Sequence, residues 1–177
     1  TLSAELGRWT SLTRHSEGSD WYNLLRELSE GLRANMPSDE PVGLVHGDFQ
    51  PGNILFHEGR MSGVIDWDLA VIGPQGMDVG WYLMMSDAGF WHPGWRPVTT
   101  VAKQDLLNAY ADAGGPALER TAWYQAFAHF RFCAIAGLNI KLHRNGRRHD
   151  PMWEKFALSV PLLLASAFDI LDEEDRI

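Results

Sequence analysis

A chain of 177 residues, 45% hydrophobic and 21% charged, is long enough to bury one substantial core and too apolar to be disordered over most of its length. Its formal charge of -8 speaks against general nucleic-acid binding, which needs clustered Lys and Arg, and no uncharged apolar run reaches the ~20 residues of a membrane span. A single cysteine, Cys133, excludes an intramolecular disulfide framework; in an apolar helical stretch it reads as a buried thiol, and the expected compartment is the cytoplasm.

Taken in order, the chain opens on an expected helix from Ser3 to His15, separated by Gly18-Ser19 from a second over Trp21 to Asn35. In the second, Trp21, Leu24, Leu25, Leu28 and Leu32 recur at the spacing of one helix face, with Asp20 as N-cap and Pro37 as stop. Val42 to Val45, bounded by Pro41, is too short for a helix and reads as a strand. Ile54-Leu55-Phe56, the turn residues Glu58-Gly59 and Met61 to Ile65 form a hairpin pattern that folds Asp66, at its exit, back towards Asn53. After Gly73-Pro74-Gln75-Gly76 a helix runs through Trp81, Tyr82, Leu83 and Met85, with Asp78 as its cap or as a fastener of a neighbouring loop.

Gly89 to Pro97 is too rich in Gly and Pro for regular structure and reads as a loop carrying three large aromatics. Lys103 to Ala113 is a short amphipathic helix ended by Gly114-Gly115. Ala117 to about Arg144 is a long one, apolar on most sides and therefore central to the core. The basic run from Lys141 to His149 falls at its end, where cations suit the helix dipole. Asp150-Pro151 opens the last helix, Pro161 is expected to kink it, and its end frays over Asp172-Glu173-Glu174-Asp175. No repeat or linker divides the chain, so residues 1–177 are expected to form a single α+β domain, mostly helical.

Between the strand and the hairpin lies His46-Gly47-Asp48-Phe49-Gln50-Pro51-Gly52-Asn53; thirteen residues after the Asn comes Asp66, in Val64-Ile65-Asp66-Trp67-Asp68. An Asp, an Asn five positions on and a second Asp across a hairpin supply what phosphoryl transfer asks of a protein. One group orients an acceptor hydroxyl, and two supply oxygen ligands for Mg²⁺. Singly, each residue would more often be a cap, a turn or a satisfied surface group. Together, on a strand end, a turn and a hairpin exit, they form the structural context that a motif requires. The same chemistry needs a glycine-rich loop over the nucleotide phosphates and a strand-borne Lys, both normally upstream. The 45 residues before His46 contain no G-x-G-x-x-G and no Lys, and they look helical rather than stranded.

These residues, with Gly73-Pro74 before Asp78, resemble the C-terminal lobe of the aminoglycoside phosphotransferase and choline kinase-like superfamily. The wording Val-His-Gly-Asp-Phe-Gln-Pro-Gly-Asn-Ile-Leu-Phe is similar to members known only as phosphotransferases of unassigned substrate. Some of those are free-standing and others are fused to acyl-CoA dehydrogenase-like domains. The specific stretch covers about Val42 to Leu83, and the flanking helices are compatible with it. The resemblance implies a kinase-like C-terminal lobe whose small β-hairpin carries the catalytic and metal-binding loops. The nucleotide-binding N-terminal lobe is absent from these residues.

It further implies that Asp48 accepts a hydrogen bond from the acceptor hydroxyl and orients it in line with the γ-phosphate of ATP or GTP, while Asn53 and Asp66 ligate Mg²⁺. His46 would hold the loop by hydrogen bonding rather than act as base. Gln50 would lie near the transferred phosphate, and Asp68 would assist Asp66 or bond local backbone. The superfamily places its acceptor pocket after the catalytic loops. Phe90, Trp91 and Trp95, with Asp87 and His92 as polar neighbours, are therefore candidate contacts to a small-molecule acceptor, although aromatics at helical spacing more often belong to a core. The implied activity is transfer of a γ-phosphate to a small-molecule hydroxyl, low or absent in the isolated lobe, with the missing lobe or a dimer partner covering its exposed apolar face. The alternative is a non-catalytic remnant that keeps the motif and serves as a helical binding or interaction module.

Overall fold

The structure is a computed structural model that describes residues 1–38 and 40–174. In chain order its elements are α1 (Leu2–Thr10), α2 (Tyr22–Ala34), β1 (Val42–Val45), β2 (Ile54–His57), β3 (Arg60–Val64), β4 (Val71–Pro74), α3 (Gly76–Ser86), α4 (Lys103–Asp112), α5 (Thr121–Arg144), α6 (Met152–Ala157) and α7 (Val160–Glu174). It is the mostly helical α+β architecture expected.

The helix expected from Ser3 to His15 stops at Thr10 and resumes as a short 3-10 turn over Thr13–Ser16. Three hydroxyls explain the break: Thr10 donates to the Leu6 carbonyl, Ser11 to that of Arg8 and Thr13 to that of Thr10. Such bonds compete with the helical ladder for its acceptors. In α2, Leu25, Leu28 and Leu32 are fully buried as the periodicity requires, but Leu24 is exposed. Asp20 is not the cap; Trp21 takes that position without a side-chain bond.

Helix α5 passes through the core with residues buried on nearly every side, from Trp123 to Ile140. Helix α3 lies against it at unusually close range because two positions lack a side chain. A Cβ on Gly80 would stand 2.3 Å from the Tyr124 carbonyl oxygen, and one on Gly76 would stand 2.4 Å from the Tyr124 ring. The expected kink at Pro161 is instead a break, with α6 ending at Ala157 and α7 beginning at Val160. Pro161 thus falls in a first turn, where its missing N–H costs nothing. The N-cap of α6 is Pro151, one residue later than expected and without a side-chain bond, while Asp150 accepts from the Met152 N–H at 3.1 Å. Of the acidic run expected to fray, Asp175 lies outside the described residues.

The strands form two antiparallel pairs. In β2–β3, Glu58 and Gly59 both have positive φ, 50° and 75°, the requirement of a tight two-residue hairpin turn. β1 pairs with β4, from Val42 opposite Pro74 to Val45 opposite Val71. β4 was not foreseen, since its partner stands about thirty residues away and four residues carry too little pattern to announce a strand. Among the described residues no helix is long and apolar enough to cross a membrane.

His129, on α5, is fully buried; its Nδ1–H donates to the Leu163 carbonyl at 2.9 Å and its Nε2 has no partner among the described residues. Burial depresses its pKa from 6.5 to about 4, so between those values the unfolded chain takes up a proton that the native state refuses. Stability should therefore fall by about 3 kcal/mol as pH drops through that window. Urea denaturation at pH 7 and pH 4.5 checks this: His129→Leu should lose most of that acid-side decline. Two glycine substitutions should act in opposite directions. Gly80→Ala, which has only backbone to collide with, should cost about 2 kcal/mol. Gly31→Ala, on α2 with nothing within 4 Å, should gain about 0.5–1 kcal/mol. Denaturation midpoints read both.

Candidate active site

β1 ends on the buried Val45 and delivers His46 into a loop that is pinned from below by α3. Asp78, in the first turn of α3, accepts from the His46 N–H at 2.7 Å and from the Gly47 N–H at 2.8 Å, one bond to each carboxylate oxygen. It is thus a loop fastener rather than a cap. Burial raises its pKa, an effect larger than the opposing pull of the two N–H groups. Gly47 has φ 84°, and a Cβ there would meet the Leu69 carbonyl at 2.3 Å, so the chain turns here through a position open only to glycine.

The His46 ring is buried and has both nitrogens engaged. Nδ1 accepts from the Asp48 N–H at 3.1 Å, and Nε2 lies 2.9 Å from the Ile65 carbonyl. An amide only donates and a carbonyl only accepts, so this geometry selects the neutral imidazole with its proton on Nε2. The ring therefore ties the loop to the residue preceding Asp66 and leaves no nitrogen to take a substrate proton. Trp67 packs against it, with ring centroids 4.5 Å apart.

The half-buried Asp48 carboxylate is held by three donors. Oδ1 accepts from Trp81 Nε1 and from Gln50 Nε2, each at 2.9 Å; Oδ2 accepts from Asn53 Nδ2, also at 2.9 Å. The same Asn53 amide donates to the Asp48 main-chain carbonyl. Because its nitrogen faces oxygens that only accept, Asn53 Oδ1 keeps its lone pairs, with no hydrogen bond among the described residues. The hairpin brings Asp66 to the same place: the Ile65 N–H donates to the Asn53 carbonyl at 2.9 Å, and Ile54 stands opposite Val64. Asp66 is exposed and has φ 65°, a left-handed conformation that few residues other than Gly, Asn and Asp adopt. Asp68 is exposed, with no hydrogen bond among the described residues.

The aromatic loop is placed differently from expectation. Trp91 is buried, donates its indole N–H to the Met84 carbonyl at 2.9 Å, and packs on Trp95 and Phe132. Phe90 stands edge-on to His129, the His92 backbone N–H donates to Ser159, and the exposed Asp87 accepts from the Gly89 N–H. Trp91 in particular has no open face to offer an acceptor. Aromatic surface beside the Asp48 loop comes from Phe49, Trp67, Tyr82 and Tyr110, which line a cavity of about 280 Å³ together with His46 and Leu44. Trp81, which the sequence analysis placed on a helix without giving it a role, bonds to Asp48. Its signal was present in the spacing: Asp78 and Trp81 are three apart on one face of α3, and both reach the same loop.

A model of the phosphotransferase enzyme family matches residues 2–124, which include every residue of this site. The chain belongs to that family. The protein named Probable acyl-CoA dehydrogenase IBR3, from Arabidopsis thaliana, is 33% identical over 153 residues, covering 74% of this chain and 18% of that protein. Acyl-CoA dehydrogenase family member 11 of Homo sapiens is 33% identical over 147 residues, with 75% and 18% covered. The chain thus spans less than a fifth of these relatives. A crystal structure from Ralstonia eutropha JMP134, provisionally assigned as an aminoglycoside phosphotransferase, superposes with a TM-score of 0.81 at 21% identity, over 97% of this chain and 55% of that one. The fold is therefore that of the C-terminal part of a kinase-like phosphotransferase.

Within this family member the loop depends on Asp78. Asp78→Ala should leave two buried N–H groups without partners and lower stability by at least about 2 kcal/mol, read as the shift in urea midpoint.

Proposed function

We propose that this chain is the C-terminal catalytic lobe of an enzyme that transfers the γ-phosphoryl group of ATP or GTP to a hydroxyl of a small molecule. The observation that carries the reading is the state of the Asp48 carboxylate. A carboxylate offers about four acceptor sites, two on each oxygen. Trp81 and Gln50 fill those of Oδ1, and Asn53 takes one on Oδ2. One site on Oδ2 is left, on an oxygen that cannot swing away, and an acceptor hydroxyl would bond there. In a loose transition state little charge gathers on the nucleophile, so such a group works by orientation.

The donor set beside it suits a hard cation. Asn53 Oδ1 and the Asp66 carboxylate would hold Mg²⁺, with water and phosphate oxygens completing its shell, as this ion prefers over an all-protein cage. When bound, the ion would neutralise charge on the phosphates. The left-handed backbone at Asp66 supports a functional demand on that carboxylate, since strain of this kind persists where surrounding structure enforces it.

A nucleotide-binding lobe, or a second copy of the chain, would cover the apolar side chains left open on the strands: Val42, Leu44 and Ile72 on β1 and β4, Phe56 and Met61 on the hairpin. Cytoplasmic action suits the free Cys133, whose thiol burial pushes well above its ordinary pKa and makes inert.

In a longer protein carrying an upstream nucleotide-binding lobe, Asp48→Asn should lower phosphoryl transfer by at least about 100-fold. Asp66→Ala should weaken Mg²⁺-nucleotide binding by calorimetry at least about tenfold. Unchanged transfer would overturn the role given to Asp48, and unchanged binding that given to Asp66; no transfer by the unsubstituted longer protein would leave a non-catalytic remnant.

A further inference from the structure

Resting on the reading that Asp48 orients the acceptor, we infer that Arg131 is a positioning residue, acting through Trp81 to fix the Asp48 carboxylate. Arg131 projects from α5 and is 2% exposed. Its guanidinium carbon lies 4.6 Å from the ring centroid of Trp81 on α3 and 4.6 Å from that of Trp9 on α1. Its Nε and Nη2 are buried without a hydrogen-bond partner among the described residues.

This is an expensive way to fill space. A buried cation with unmade hydrogen bonds is tolerated only where other interactions offset its desolvation, and Met or Leu would pack the same volume without that cost. The offsetting interactions point at the site. Two indole faces attract the guanidinium, more strongly out of water than in it. The carboxylates whose fields favour its charge are Asp48 first, then Glu5 and Asp78, against Arg8. Burial lowers the Arg131 pKa to about 10, which leaves it charged at neutral pH.

Trp81 has one polar atom, and it is spent on Asp48 Oδ1. Any rotation of the ring about its side-chain torsions breaks that bond and leaves Oδ1 held by Gln50 alone. A cation on the ring face resists such rotation, because the attraction depends on lying over the ring rather than at its edge. The contacts thus run Trp9, Arg131, Trp81, Asp48, from the first helix to the carboxylate that would meet the substrate.

The test reads indole N–H signals by NMR on the ¹⁵N-labelled full chain and needs neither nucleotide nor acceptor. Trp91 and Trp123 serve as internal controls, since their indole N–H groups bond to the Met84 and Leu32 carbonyls in the core. Arg131→Met should speed solvent exchange of the Trp81 indole proton roughly tenfold while leaving those of Trp91 and Trp123 unchanged. Arg131→Lys, which keeps a cation over the rings but not the planar contact, should fall between wild type and the Met variant. An unaltered Trp81 signal in the Met variant overturns the proposal, and so does equal acceleration at all three indoles, which would make Arg131 a general packing residue. Should the Met variant not fold, the Lys variant decides by the same comparison with the two controls. The signals are independent of phosphoryl transfer, so a silent Trp81 overturns this role without touching the one proposed for Asp48.

Discussion

The loop that carries His46 and Asp48 has its shape because one half-buried carboxylate holds it. Asp78 binds the N–H groups of His46 and Gly47 with separate oxygens, and neither group has another acceptor within its turn. Everything chemical follows within two residues. His46, so placed, bonds forward to the Asp48 N–H and across to the Ile65 carbonyl, which sets the distance between the two loops that carry Asp48 and Asp66. The anchor itself is rigid because α3 lies directly on α5, through glycines that let one helix backbone rest on the other.

The site is built in two layers with different physics. Around Asp48 the contacts are directional: three N–H donors on its carboxylate, and an Asn amide whose nitrogen is committed and whose oxygen keeps its lone pairs. Behind them the contacts are broad, with indole faces and a guanidinium rather than paired hydrogen bonds. Directional bonds locate atoms to a fraction of an ångström, while stacked surfaces prevent the groups that make those bonds from turning.

Much of this was legible in the chain. His46, Asp48, Asn53 and Asp66 could be picked out because their types are chemically distinctive and their separations are short, so that one strand, one turn and one hairpin suffice to bring them together. Helices α2, α4 and α5 were readable for a related reason, since each carries its pattern within its own span. β4 was not, because it exists only through pairing with β1. Trp81 and Trp91 illustrate the same limit. Both are tryptophans in an aromatic stretch, yet one donates to the Asp48 carboxylate and the other to a core carbonyl.

By itself, then, the sequence determined which polar side chains the loop carries and the helical character of what surrounds it, because those depend on residue type and on spacing within a few turns. Tertiary structure alone decided which aromatic meets the site, which is consumed by the core, and that an arginine on α5 lies over a ring bonded to Asp48. An indole shows the same face to a periodicity argument whether its N–H ends on a backbone carbonyl or on a carboxylate. The difference is made by helices α1, α3 and α5 crossing at one point, and residues 9, 81 and 131 are too far apart in the chain for any local pattern to record it.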